Sequence, residues 1–194
     1  MFREIGKQIK VAFILVLILT MITGLVYPLT VMLFAQYFFP WQANGSLIKK
    51  DDQIIGSSLI GQSFSSNHYF WGRPSATTPY PYNGDLSSGS NLGPSNPALL
   101  ALIKARVLHV ERMHAHQPYQ TIPVDLVTAS GSGLDPDISP AAAFYQIPRV
   151  AKARQISEEE LRALVLRHIK GRTLGLLGEP RLNVLQLNLA LDNL

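Results

Sequence analysis

The sequence contains no cysteine, and it carries no charged side chain anywhere between Val11 and Phe39. The first absence excludes disulfide bonds and thiolate chemistry. The second excludes a soluble surface helix over that stretch, because such a helix needs a polar face. About 20 apolar residues are enough to cross the hydrocarbon core of a bilayer, and this run is longer.

The apolar run predicts a membrane-spanning helix over residues 11–39 rather than a cleaved signal peptide. It exceeds the roughly 7–15 apolar residues of a signal sequence, and no small-x-small cleavage motif follows it. Tyr37, Phe38, Phe39 and Trp41 stand where an aromatic belt would meet the far interface. Pro28 lacks an N–H, so a kink or an early end of the helix near Tyr27 is expected.

Charge predicts the orientation of this helix. Arg3, Lys7 and Lys10 precede the span against one acid, Glu4, so residues 1–10 are predicted to be cytoplasmic. Residues 40–194 are then a domain on the opposite side, the periplasm of a bacterium with two membranes. That domain has fourteen basic and twelve acidic residues. A nearly balanced charge argues against binding to nucleic acid.

The predicted outer domain is one compact α+β unit. Ile54–Ile55 and Leu59–Ile60 are typical of short strands, and alternation at Ile122, Val124 and Leu126 predicts another. Residues 73–97 are rich in Pro, Gly, Ser, Asn and Tyr, which predicts a long, ordered loop. A second irregular segment is expected over residues 130–136.

Capping residues predict where the helices begin. Asn96 before Pro97 starts a helix that Pro118 would end. Its apolar stripe is Leu99, Ile103, Val107, Val110 and Met113. Ser139–Pro140 starts a helix that Pro148 would interrupt. Ser157 and Glu160 form a capping box for a helix that stops at Gly171. The predicted buried face of this helix is Leu161, Leu164, Val165 and Ile169. A last helix is expected after Pro180, with Leu182, Leu185 and Leu189.

No motif predicts catalysis or a metal site. His109, His114 and His116 lack the spacing of a zinc-binding helix and are predicted to be solvated at a helix end, while His68 and His168 are isolated. No serine lies in a Gly-x-Ser-x-Gly elbow, which argues against an anchored hydrolase. The Gly/Ser segments 87–93 and 130–133 lack a Walker lysine, so they are interpreted as ordered docking loops rather than phosphate cradles.

Four aspartates fall in irregular segments or at a strand end. If these loops share one surface, that surface would weakly attract small cations, with Arg73 as the main nearby cation. Ordinary turn aspartates remain an equally good interpretation. The candidate cation-attracting residues are Asp85, Asp125, Asp135 and Asp137.

Over nearly its whole length the chain resembles the C subunits of Kdp-type bacterial potassium-transporting P-type ATPases. The resemblance begins with Phe39–Ile48 at the membrane exit. It continues through Gly56–Gln62, Tyr69–Phe70, Arg73–Ala76, Pro81–Asn83, Gly89–Leu92, Val124–Asp135, Gln146–Arg154 and Asn188–Asp192.

The resemblance implies an accessory, non-catalytic subunit in the bacterial inner membrane. Its partners would be a channel-like pore subunit, a P-type ATPase subunit and a small single-span subunit, in an assembly that imports potassium using ATP. It implies stabilisation of that assembly and a catalytic chaperone role that raises the ATP affinity of the ATPase subunit. No cofactor would be bound tightly; ATP would act through the ATPase subunit, and potassium is the transported ion.

The resemblance also implies candidate site residues. The family-proposed nucleotide region corresponds to Ser130, Gly131, Ser132, Gly133 and Gln146, although a periplasmic domain would not meet cytoplasmic ATP. Alternatives are a periplasmic cap over the potassium entrance and a solitary membrane-tethered binding domain. Candidates for a partner interface are Thr20, Thr23 and Gly24 in the span, and Trp41, Arg73, Ser75, Asn83, Ser90 and Asn91 beyond it.

Overall fold

The computed structural model describes residues 2–114 and 121–194. Contacts divide the chain into two units, Met1–Leu47 and Ile48–Leu194, which are described separately. The predicted helix end at Pro118 and the predicted position of His116 lie outside the described residues.

The first unit is helical, and one helix of it, Glu4–Phe38, is long and apolar enough to cross a membrane. Helix α1 (Phe2–Met21) passes through a π-helical turn (Ile22–Val26) into α2 (Tyr27–Phe38), followed by the short α3 (Pro40–Ala43). The expected early end near Tyr27 is therefore wrong. The wider π-helical turn precedes Pro28, where a proline ring would clash with the carbonyl four residues earlier in a regular α-helix.

The second unit contains two two-stranded sheets, a long irregular segment and four α-helices within its described part. Strand β1 (Leu47–Lys50) begins at the boundary between the units and pairs with β2 (Gln53–Ser57), which confirms a strand at Ile54–Ile55. Asp51 and Asp52 both have positive φ, as the turns favoured in two-residue hairpins require. The other helices are α4 (Pro97–Met113), α5 (Pro140–Arg154), α6 (Glu158–His168) and α7 (Val184–Leu191).

The predicted caps are present. Asn96 accepts from the Ala98 N–H, Ser139 from Ala142 and Ser157 from Glu160. All five residues of the predicted stripe on α4 are buried or half-buried. Helix α6 buries Leu161, Leu164 and Val165 as expected, but it ends at His168, before Gly171, because Lys170 pairs with Arg181 in an antiparallel bridge.

Two predicted strands are wrong. At Leu59–Ile60 the Ser57 hydroxyl and carbonyl accept the N–H groups of Leu59 and Ile60, which makes a turn. Residues Val124–Leu126 form a 3₁₀ helix instead of a strand, with Val124 69% exposed. The turn closes when Thr128 bonds the Val124 carbonyl through both its N–H and its hydroxyl.

The predicted interruption at Pro148 is also wrong, because α5 continues through it. Ile147 and Val150 on either side are both in the core. An interior proline costs a helix about 3 kcal/mol, and burial of two aliphatic side chains offsets this. Leu182, expected in the last helix, instead belongs to strand β4 (Leu182–Asn183), which pairs antiparallel with β3 (Asp137–Ile138) beneath α6 and α7.

Candidate functional site

Two buried side-chain amides hold residues 70 and 71 against the helices. The Phe70 N–H donates to Asn188 Oδ1 at 2.9 Å, and Asn188 Nδ2 donates to the Phe70 carbonyl at 2.9 Å. Gln146 bonds Trp71 in the same way. The Trp71 N–H donates to Gln146 Oε1 at 2.7 Å, and Gln146 Nε2 donates to the Trp71 carbonyl at 3.2 Å. We call Gln146 and Asn188 the carboxamide clamp. It supplies the partners that a neighbouring strand would give to an extended segment.

Arg149 extends the carboxamide clamp with a buried charge. Its guanidinium donates to the carbonyls of Asn67 and Tyr69 and to Gln146 Oε1, and it lies 4.0 Å from the centre of the Trp71 ring. No salt-bridge partner is found for it in the part of the chain that the structure describes. Burial lowers the pKa of Arg149 to about 10.

His114 is fixed in one tautomer by the same arginine. Arg149 Nε can only donate, and it lies 3.1 Å from His114 Nε2, so Nε2 accepts and the proton sits on Nδ1, which donates to the Val110 carbonyl. Burial lowers the pKa of His114 to about 4. The prediction of a solvated histidine is therefore wrong for His114, which is 6% exposed. His109 stacks on Trp71. No group of three metal-ligating side chains is found in residues 2–114 and 121–194.

Ser75 and Thr77 organise the long loop. The Ser75 hydroxyl accepts the N–H groups of Thr77 and Tyr82 and donates to the Gly133 carbonyl. The Thr77 hydroxyl accepts from the Asn83 N–H and donates to the Tyr80 carbonyl. These bonds brace residues 75–83, and residues 73–96 contain no helix or strand, which confirms the predicted loop.

The two Gly/Ser segments pack on each other. The Ser132 backbone carbonyl accepts from the Ser88 N–H and from the Ser87 hydroxyl. A Cβ on Gly89 would lie 2.8 Å from the Gly131 carbonyl oxygen, so this close approach requires glycine. Gly133 has φ +67 and bonds the buried Ser130 hydroxyl. The two segments thus bond and pack against each other, which favours ordered docking loops over phosphate cradles.

The residues implied for nucleotide binding do not form a visible cradle. Gln146 is 0% exposed; its Oε1 accepts from the Trp71 N–H and from Arg149, and its Nε2 donates to the carbonyls of Trp71 and Ala142. Within the described residues, no hydrogen bond joins Gln146 to Ser130, Gly131, Ser132 or Gly133. A nucleotide reaching Gln146 would have to displace the backbone of Trp71.

Three of the four candidate aspartates meet in one open pocket of about 540 Å³. Asp135 pairs with Arg73 at 3.1 Å, Asp137 pairs with Arg181 at 3.1 Å, and Asp125 accepts from the N–H and hydroxyl of Ser139. Burial, followed by the charge of Asp135, raises the pKa of Asp137. Asp85 is exposed and does not line this pocket. Much of the acidic charge is compensated, and sequence reasoning missed Arg181.

The candidate interface residues fall into two groups. Arg73, Ser75 and Asn83 use their polar groups inside the fold. The Thr23 hydroxyl donates to the Leu19 carbonyl, and the Trp41 indole donates to the Leu47 carbonyl. The exposed candidates, which remain candidates for contact with a partner, are Thr20, Thr23, Gly24, Trp41, Ser90 and Asn91.

Sequence reasoning missed Arg149, Asn188 and Thr77 as organising residues. Arg149 lies three residues after Gln146 on α5, and Asn188 lies among the buried leucines of α7. The available signal was a polar residue on an otherwise apolar helix face, which usually has a specific hydrogen-bonding partner.

Fold and site define a class of protein: a chain with one apolar N-terminal helix of membrane-spanning length and a compact unit of helices and short strands with preformed loops. Residues 9–193 match the family model of KdpC, the K⁺-transporting ATPase c chain. The chain is 58% identical to the potassium-transporting ATPase KdpC subunit of Sorangium cellulosum (95% of this chain, 97% of that one) and 58% identical to that of Methylococcus capsulatus (97% and 98%). The Rhodopseudomonas palustris subunit is 56% identical (96% and 98%).

The chain therefore belongs to the KdpC family, the c chains of K⁺-transporting ATPases.

Replacement of Gln146 by leucine tests the carboxamide clamp. It leaves the Trp71 N–H and C=O without their partners, and each unsatisfied buried group costs about 1–3 kcal/mol. We expect the free energy of unfolding of the detergent-solubilised chain to fall by about 2–5 kcal/mol, measured by denaturant titration with Trp fluorescence. The control Gln53→Leu, at an exposed position, should change it by less than about 0.5 kcal/mol. Equal effects of the two substitutions would show that Gln146 is not a clamp.

His114 predicts a pH dependence of stability. Its folded pKa of about 4 lies below the ordinary 6.5, so the unfolded chain takes up the proton first as the pH falls. Stability present above pH 6.5 is therefore lost progressively between pH 6.5 and about 4. In denaturant titrations across this window, His114→Gln should show a smaller loss than the unsubstituted chain. Parallel curves would contradict the assignment.

Proposed function

We propose that this chain is a non-catalytic accessory subunit that holds together a potassium-importing ATPase assembly. Membership of the KdpC family supports the assembly. One structural observation supports the non-catalytic role: polar groups of the long loop and of α5 are already hydrogen-bonded within the fold, as at Ser75, Thr77 and Gln146. Side chains that are already paired make a fixed surface rather than a reactive site.

Preformed loops suit a docking role for an energetic reason. Association costs free energy when loops must be ordered at an interface, and a loop ordered beforehand avoids that cost. The loop of residues 73–97 presents Ser90 and Asn91 to solvent from such a fixed framework. We propose that these residues, with Thr20 and Gly24 in the apolar helix, contact the pore subunit, the P-type ATPase subunit or the small single-span subunit.

We propose that the second unit lies on the periplasmic side of the inner membrane. The basic residues before the apolar helix favour this orientation. An effect on the ATP affinity of the ATPase subunit would then be a coupling free energy transmitted between subunits. The buried, fully bonded position of Gln146 supports coupling of this kind over direct contact with ATP.

A second candidate is a cap over the potassium entrance of the pore subunit. The observation that favours it is the meeting of Asp125, Asp135 and Asp137 in one pocket. Arg73 and Arg181 line the same pocket and pair with two of these acids, so any attraction of potassium there is weak. The cap is therefore mainly steric in this proposal.

Ser90→Trp tests the docking role. The bulky side chain should obstruct a partner at the loop without disturbing the bonds inside it. In membranes solubilised after co-expression with the other subunits, we expect at least a tenfold loss of this chain from material purified through a tag on the ATPase subunit. The control Glu159→Trp, at an exposed site on α6, should be retained normally. Normal retention of the Ser90 variant would contradict the proposed surface.

A further inference from the structure

Residues 170–181 form a hairpin whose tip is three exposed leucines. Lys170 pairs with Arg181 and Thr173 with Leu177 in antiparallel bridges, each made by two backbone hydrogen bonds of 2.8–3.0 Å. Leu174 and Leu176 lie beyond these bridges and are 88% and 79% exposed, and Leu177, in the second bridge, is 63% exposed. We call these three residues the leucine tip.

One ion pair and the backbone bridges join the two arms of the hairpin behind the leucine tip. Arg172 Nη2 donates to both carboxylate oxygens of Glu179, at 2.8 and 2.7 Å, across the two arms. Gly175 and Gly178 have positive φ, and so does Leu174, at φ 54, where a bulky residue is strained. A fixed apolar projection suits a pocket of matching shape, because little freedom remains to be lost on docking.

The charges beside the leucine tip distinguish a protein pocket from a lipid surface. Arg172 pairs with Glu179, Arg181 with Asp137, and Lys170 donates to Gln186. The basic groups of the hairpin are thus engaged within the protein, whereas membrane-binding segments offer free Lys and Arg to anionic headgroups. Residues 170–181 also contain no Trp or Tyr, the residues enriched at membrane interfaces.

We propose that the leucine tip inserts into an apolar pocket, lined by aliphatic or aromatic side chains, on another subunit of the assembly. This inference rests on the proposed accessory role, and it assigns a docking element separate from the loop of residues 73–97. Three leucines on a braced hairpin supply the apolar anchor of such a contact. Arg172 and Arg181 beside the tip are each paired with a carboxylate, so burial of the tip strips water from neither as an unpaired charge.

Photocrosslinking in the intact assembly tests the contact. With p-benzoylphenylalanine in place of Leu176, irradiation of membranes that contain all subunits should yield a covalent product with another protein subunit. The matched control carries the same group at Leu166, which is 55% exposed on α6. A product with lipid alone or with a second copy of this chain, no product at all, or an equal yield of the same product from position 166 would overturn the proposal.

Substitution measures how much the tip contributes. Because the leucines are exposed, Leu176→Ser combined with Leu177→Ser should leave the thermal unfolding midpoint of the detergent-solubilised chain unchanged. Retention of the chain in the tagged assembly should fall at least tenfold, while Leu166→Ser is retained normally. Normal retention of the double variant would overturn the proposal. If the double variant is retained normally but Ser90→Trp still releases the chain, the leucine-tip contact fails while the accessory role stands. Failure of the inference can therefore be told apart from failure of the proposed function.

Discussion

Four hydrogen bonds between two side-chain amides and the backbone of Phe70 and Trp71 set the arrangement of the second unit. In the part of the chain that the structure describes, the segment between β2 and α4 pairs with no strand, yet its backbone groups are partly buried and need partners. Gln146 and Asn188 provide them from two different helices, α5 and α7. Because Arg149 then stacks on Trp71 and bonds Gln146, a buried charge is held without a carboxylate. The loop that follows is ordered from this fixed end.

Local chemistry made much of the fold predictable. The caps at Asn96, Ser139 and Ser157 mark helix starts by a direct side-chain contact within three residues, so the sequence alone reveals them. The failures have non-local or competing causes. Core packing carries α5 through Pro148, and Ser57 and Thr128 bond nearby backbone groups where strands were expected. The carboxamide clamp joins residues 75 and 118 positions apart, and spacing along the chain contains no sign of such a pair.

Hydrogen bonding within the fold leaves few free polar groups for chemistry at the candidate site. The hydroxyls of Ser75 and Thr77 and the amide of Gln146 are hydrogen-bonded within the fold, so these residues support a surface instead of presenting free groups. Asp135 and Asp137 follow this pattern, since arginines compensate them. The loop around Ser90 and the leucine tip are two exposed features of the second unit. Two preformed contacts on one subunit would bind an assembly more tightly than either alone.

The proposed orientation places the second unit on the opposite side of the membrane from residues 1–10. Because the chain has no cysteine, one introduced thiol reports position without background. Glu159→Cys places it on the second unit, and Lys7→Cys places it before the apolar helix. In intact right-side-out vesicles containing the full assembly, a membrane-impermeant maleimide should label position 159 and leave position 7 unlabelled until the membrane is opened. Labelling of position 7 with protection of position 159 would contradict the account.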